Sequence, residues 1–523
     1  MAKYFIFTFV VSYLISCIFA DIPDFHDTLY PHQHDFQDRH QQQEQPEHPH
    51  HPAFINNGKD APYVVKINAN VSFGVWRGWG TSLAWFGAAL GDRADVADVL
   101  FTTKQVEIIP NITVPGLGLN FARYNVGACS WNALSPSGEK MVQSPNIHRD
   151  RQVEAFWIDP SDSDPQSRSW NWRVDANQVA LLKNAQSRGA NIFQLFSNSP
   201  VWWMCKNFNP SGSATGIADN IAPNNYRSFA MYLANVALQA QQVWNVTFES
   251  VEAFNEPSSP WWTAQGTQEG CHFDPSSQAA VIPLLRQELD RVGLQDMRIA
   301  ASDENSYTLA LNSFQKWGPE VVSLVDIVDV HGYEYDKGPR DQLYAAVRRA
   351  SKLLYNSEYG EGDASGVSLA SNLNLDLHHL HPSLWTYWQV FDGGGWGLIQ
   401  TDVANRVIQQ VNRKYYVLAH FTRHILPKCS IIDTSDINTI AAFCSANHTI
   451  IIVCFNAGKV SQTYAFDVSS FSQIKGPARR WETNIDGGNT YSVFDDVVIR
   501  DDTVQFTIKE RTINTFEIQN AAL

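Results

Sequence analysis

Eight short apolar or β-branched runs, in chain order and separated by helix-compatible stretches, constrain this chain more than any other feature. They are Gly78–Leu83, Leu119–Asn125, Asn191–Ser197, Ser250–Asn255, Arg298–Ser302, Ile327–Tyr333, Lys352–Glu358 and Leu384–Gln389. Between many of them lie segments that read as helices, such as Ala176–Arg188, Tyr226–Val243, Ala279–Val292 and Arg340–Ala350. Strand–helix alternation builds a parallel sheet. Eight such units close into a (β/α)8 TIM barrel, expected here over residues 75–424. An open doubly wound sheet is the alternative, but no Gly-rich nucleotide loop follows an early strand.

The 523 residues exceed what one barrel needs, so an accessory domain is expected. After about residue 425 the texture is all-β. Ile431–Ala442, Thr449–Phe455, Thr463–Asp467, Tyr491–Ile499 and Thr503–Ile508 read as strands divided by turn residues. These predict a small all-β side domain, a β-sandwich. The run Tyr63–Val71 is expected to join it, which makes the domain discontinuous, 55–74 plus 425–523.

The first 20 residues read as a signal peptide. Lys3 gives the positive flank, Tyr4 to Phe19 are apolar, and Ala20 suits cleavage. Residues 21–54 are rich in His, Gln and Pro and hold seven of the sixteen histidines. Such a segment cannot bury enough surface to offset its ordering entropy. No later run is long and apolar enough to span a bilayer. Beyond Cys17 six cysteines remain, an even number that suits disulfides in a secreted chain, with pairing expected among Cys429, Cys444 and Cys454. Glycosylation sequons begin at Asn70, Asn111, Asn245 and Asn447. The chain is thus expected to be a secreted, extracellular monomer. Its net charge of −15 excludes a nucleic-acid partner, which needs a basic field.

Barrel active sites lie where the strands end. The fourth run ends in Asn255-Glu256-Pro257 and the seventh in Ser357-Glu358-Tyr359-Gly360. A carboxyl at the end of an apolar run is costly unless paired or useful. Strands four and seven face each other across a barrel mouth, so the two glutamates can flank one glycosidic bond. One would act as acid/base and the other as nucleophile. Seventeen tryptophans and eighteen tyrosines point the same way, since aromatic faces suit sugar rings. The expected partner is a polysaccharide or oligosaccharide substrate. The chemistry requires no metal and no cofactor.

Several further segments resemble glycoside hydrolase family 30, particularly its endo-β-1,6-galactanase-like branch. They are Gly78–Trp85, Arg123-Tyr124-Asn125-Val126-Gly127, Ser197–Met204, the Asn-Glu-Pro site, Gln268-Glu269-Gly270-Cys271, Val330-His331-Gly332-Tyr333, Ser357–Gly360 and Trp385–Gln389, all in family order. The resemblance implies a retaining hydrolase with Glu256 as acid/base and Glu358 as nucleophile. It implies that Asn255 and Arg123 bind sugar or nucleophile, and that Trp203 or Trp202 and Trp388 wall the sugar pocket. Tyr333, with His331 nearby, would bond the nucleophile. Asp303-Glu304 is expected to shape the groove or hold a loop. A Cys205–Cys271 disulfide would staple two active-site loops. The loop Cys129-Ser130-Trp131-Asn132 lacks the acidic residue that glucosylceramidases of the family carry after strand two. The absence weakens a glucosylceramidase reading, and the resemblance to the galactanase-like branch implies a β-1,6-galactan as the leading substrate, ahead of β-1,6-glucan, xylan and glucosylceramide. A carbohydrate-binding protein without catalysis is the reading outside the enzyme class.

Overall fold

The computed structural model describes residues 61–130 and 138–523. The signal peptide and the His-rich segment expected from the sequence lie outside the described residues.

Eight parallel strands close a barrel: Gly78–Ser82, Phe121–Asn125, Ile192–Phe196, Ser250–Glu252, Arg298–Glu304, Ile327–His331, Leu353–Tyr359 and Leu384–Tyr387. Each pairs with its neighbours in sequence, and the eighth returns to the first through Leu384↔Gly78 and Trp385↔Trp79. All eight expected runs are barrel strands. Most read as unbroken apolar stretches because they are covered outside by helices and filled inside by side chains.

Alternation along the strands sorts the interior into layers. Phe121, Ile192, Ala300, Ile327, Tyr355 and Leu384 form a buried apolar plug. Two residues further along the same strands come Arg123, Gln194, Ser302, Asp329, Ser357 and Thr386, all buried and all able to hydrogen bond. A period of two therefore carries the barrel from a packed floor to a polar upper layer. Strand register then places His331 opposite Glu358.

The side domain is one ten-stranded sheet folded on itself through the long strand Tyr63–Val75. The first part of that strand pairs in parallel with Gln462–Asp467, and its later part runs antiparallel to Ser430–Thr434. The two arms share one apolar core, in which Ile450, Ile452, Phe516 and Ile518 meet Tyr464, Phe466, Val504 and Ile508. Thr449–Asn456 is buried on both faces. Ile450, Ile452 and Cys454 enter this core, while Ile451, Val453 and Phe455 join the core that includes the barrel. That explains why the strand is apolar throughout instead of alternating.

The all-β reading differs from the structure in detail. Ile431–Ala442 is a hairpin of Ser430–Thr434 and Thr439–Cys444, because Asp436 turns the chain by accepting from the Thr439 hydroxyl at 2.7 Å. Tyr491–Ile499 contains Ser492–Phe494 and the start of a second short strand, Ile499–Arg500. Two long strands, Ala478–Asn484 and Thr512–Ile518, escape the reading because polar residues interrupt their apolar pattern.

Cys429 and Cys444 form a disulfide across fifteen residues. Cys205 and Cys271 are free thiols, contrary to the staple expected between them. Each turns to a backbone carbonyl instead, Cys205 toward Pro200 at 3.6 Å and Cys271 toward His272 at 3.4 Å. The four sequon asparagines are all exposed. Among the described residues no helix is long and apolar enough to cross a membrane.

Candidate active site

Glu256 stands just beyond the fourth barrel strand and Glu358 near the end of the seventh. Carboxylate oxygens of the two, together with a nitrogen of His331, lie within 4.8 Å of one another. Both glutamates are nearly buried, at 2% and 4% exposure. Glu256 adopts a left-handed backbone, with φ 48°, as does Asp303, with φ 61°. Such a conformation is costly for a residue with a side chain, so it persists only where the surroundings enforce it. Here the amide of Glu256 donates to the carbonyl of Asp303 at 2.7 Å and ties the end of strand four to strand five.

Arg123, fully buried on strand two, is the hub beneath the pair. Its Nη1 donates to Glu358 Oε2 at 2.8 Å, and its Nη2 reaches Asn255 Oδ1 at 3.1 Å and Asp303. The guanidinium stacks on the Phe196 ring, 3.5 Å from its centroid. Tyr333 donates to Glu358 Oε1 at 2.8 Å. His331 Nδ1 lies 3.1 Å from Glu256 Oε1 and 3.6 Å from Glu358 Oε1, while its Nε2 lies 3.0 Å from Asp303 Oδ1.

This geometry sets the charges. Burial opposes the His331 cation, but Glu358 and Asp303 outweigh it and raise the ring to about 10. Burial likewise opposes ionisation of Asp303, yet Arg123 and His331 hold its carboxyl below the usual carboxylate range. Glu358 is pushed up to about 7 by burial, against the pull of His331 and Arg123. Below this layer Glu252 is raised well above its ordinary value by burial and by Asp303 and Asp329. The trio Glu256, His331 and Glu358 has the spacing of metal ligands. The cationic His331 and the guanidinium on Glu358 make it a poor host for a further positive charge.

The expected site residues Asn255, Glu256, Arg123, His331, Tyr333 and Glu358 thus come together. Trp388 and Trp203, each 8% exposed, are less deeply buried than most of the core. Trp388 packs edge-on to Trp85 at 5.2 Å in one apolar cluster with Phe196. Trp203 donates its indole N–H to the Trp157 carbonyl at 3.2 Å. Trp202 does not fit a sugar-pocket role: it is fully buried and packs toward Phe208. A short 3-10 turn over Trp202–Met204 is the reason, since it points adjacent side chains in different directions. Asp303 is no groove residue either, being 0% exposed beneath Arg123.

Glu304 does hold a loop. It accepts from the Ser258 amide at 3.0 Å and the Ser258 hydroxyl at 2.7 Å, two residues past Glu256. Sequence reasoning missed Asn305 and Trp261. Asn305 donates to Glu256 Oε1 at 2.8 Å, and Trp261 donates to Glu256 Oε2 at 3.1 Å. Asn305 directly follows the Asp303-Glu304 pair, a position that could have drawn notice. The Trp261-Trp262 doublet lies in a loop with no strand or helix periodicity to orient it.

Residues 64–325 match the model of O-glycosyl hydrolase family 30. The chain is 46% identical over 466 residues to an endo-β-1,6-galactanase of Hypocrea rufa, covering 88% of this chain and 96% of that protein. The chain belongs to glycoside hydrolase family 30. It is a glycoside hydrolase. An exo-β-1,6-galactobiohydrolase of Bifidobacterium longum subsp. longum is 21% identical over 532 residues, covering 76% of this chain and 34% of that larger protein. In fold the chain is similar to the catalytic domain of a family 30 xylanase C from Talaromyces cellulolyticus. The TM-score is 0.66 at 19% identity, across 87% of this chain and all of that one.

Proposed function

We propose that this chain is a secreted endo-β-1,6-galactanase that cleaves by double displacement. Glu358 attacks the anomeric carbon to form a glycosyl-enzyme. Glu256 protonates the departing oxygen and then activates the water that releases the sugar. The observation that carries the substrate class is the 46% identity to the Hypocrea rufa galactanase across nearly its whole length.

The carboxylate spacing supports the retaining course. Retaining pairs stand roughly 5–5.5 Å apart, whereas inverting pairs leave roughly 6.5–9.5 Å for a water. One oxygen of each carboxylate lies within 4.8 Å of one of the other, a close approach that favours the narrower spacing. Arg123 and Tyr333, one on each oxygen of Glu358, orient the nucleophile and favour its ionised form. Asn255, held by Arg123, lies beside Glu256 where it can bond a sugar hydroxyl. Exposed acceptor asparagines at four sequons agree with passage through a secretory route.

The test is digestion of a panel of β-linked glycans, with products sized and their anomers followed by NMR at early times. β-1,6-galactooligosaccharides released first as the β-anomer are expected. Turnover of xylan or β-1,6-glucan with galactan left intact would assign the site to another substrate. First release of the α-anomer would exclude double displacement.

A further inference from the structure

The loop after the fourth strand carries two adjacent tryptophans that both grip Glu256, by different atoms. Trp262 donates its indole N–H to the Glu256 backbone carbonyl at 2.8 Å, and Trp261 donates to the side-chain Oε2 at 3.1 Å. Trp262 is 2% exposed and wedged between glycines. A Cβ on Gly270 would meet its ring at 1.9 Å, and one on Gly212, at φ 139°, would meet its carbonyl oxygen at 1.9 Å. Trp262 is therefore a fixed anchor, and it holds the preceding residue in place. Trp261 is only half-buried.

The two oxygens of Glu256 are not equivalent. Oε1 faces the nucleophile side, where Asn305 donates at 2.8 Å and His331 Nδ1 lies at 3.1 Å. Oε2 takes the Trp261 N–H at 3.1 Å. An indole N–H can donate but never accept. It therefore leaves the other lone pair of Oε2 free to carry and hand over a proton. An indole that is partly open to solvent and fixed beside that oxygen stands where the leaving half of a substrate must pass. Its face is a flat apolar surface, and a galactosyl unit offers it a matching C–H face opposite the axial hydroxyl.

We propose that Trp261 builds the subsite for the leaving galactosyl unit and positions the proton-delivering oxygen of Glu256. This deepens the galactanase reading and rests on it. The ring would bind the aglycone sugar, and the N–H would hold Oε2 toward the glycosidic oxygen.

Two variants separate these tasks. W261F keeps an aromatic face and loses the N–H, whereas W261A loses both. Two substrates probe the proton: a β-1,6-galactooligosaccharide, whose leaving group needs protonation, and the dinitrophenyl glycoside of β-1,6-galactobiose, whose leaving group does not. W261F is expected to lower kcat on the oligosaccharide by about tenfold, with a clearly smaller loss on the dinitrophenyl glycoside and KM little altered. W261A is expected to add about a tenfold rise in KM for the oligosaccharide. Equal losses on both substrates would mean that Trp261 serves the loop's structure alone and would overturn the proposal. Wild-type kinetics in both variants would overturn it as well. If the wild type leaves galactan intact but cleaves another β-glycan, the galactanase reading fails by itself. The same comparison run on that glycan then decides the role of Trp261.

Discussion

Tyr333 and Arg123 hold opposite oxygens of Glu358, the phenol at 2.8 Å on Oε1 and the guanidinium at 2.8 Å on Oε2. Each donor stabilises the ionised carboxylate, so each opposes the burial that raises Glu358 to about 7. Tyr333→Phe removes one donor without emptying the space. The Glu358 value then rises further, and the acid limb of kcat/KM moves to higher pH by about one unit. A pH–rate profile of the variant checks this. A limb at the wild-type position would show that Tyr333 does not act on Glu358.

Glu304 anchors the loop that carries Glu256, the proposed acid/base. Besides Ser258 it accepts from the Ser313 hydroxyl at 2.6 Å and from Gln278 at 3.3 Å, all in a buried setting. Glu304→Ala leaves these donors unpaired and is expected to cost about 2–3 kcal/mol of stability. It also frees Ser258, so kcat is expected to fall about tenfold even though Glu304 touches no substrate. Denaturant titration and steady-state kinetics measure the two effects. Full stability in Glu304→Ala would contradict the anchoring role.

Much of this arrangement is legible in the sequence, for a physical reason. Barrel strands buried on both faces are short apolar runs, so all eight are visible in the sequence. The two glutamates stand out because a carboxyl closing such a run needs an explanation. The parts that stay hidden depend on backbone geometry that pattern does not encode. Asp303 reads as a groove acid, yet a left-handed φ of 61° turns it under Arg123. Trp202 and Trp203 are equivalent in sequence, and a single 3-10 turn buries the first more completely than the second. The grip of Trp261 on Glu256 is set by two glycines far away in sequence or in the same loop, Gly212 and Gly270, which admit Trp262.

Acid should loosen the seam between the last helix and the side domain. His420, on helix Arg413–Thr422, is buried between the hydroxyls of Thr515 at 2.8 Å and Thr483 at 2.9 Å. Burial, with His424 adding to it, holds its pKa well below the ordinary value. The unfolded chain binds this proton below about pH 6.5 while the folded protein does not. The stability contributed by the neutral ring is therefore complete above about pH 6.5 and declines as pH falls toward the folded value. The slope is at most about 1.4 kcal/mol per pH unit. Denaturation of wild type and His420→Gln between pH 7.5 and 4.5 tests the sign, because their difference isolates this residue. The gap in stability should narrow in acid; a gap that is constant with pH would rule out titration of His420.

The central claim is that Glu358 bonds covalently to the sugar while Glu256 moves the proton. A 2-deoxy-2-fluoro-β-galactosyl fluoride, extended by a second β-1,6-galactosyl unit, reacts at the anomeric carbon but turns over slowly afterwards. Intact-mass and peptide mass spectrometry of the treated enzyme should find one added glycosyl group, on the peptide containing Glu358, and none in Glu358→Gln. A label on any other residue, or rapid turnover of natural substrate by Glu358→Gln, would contradict the account.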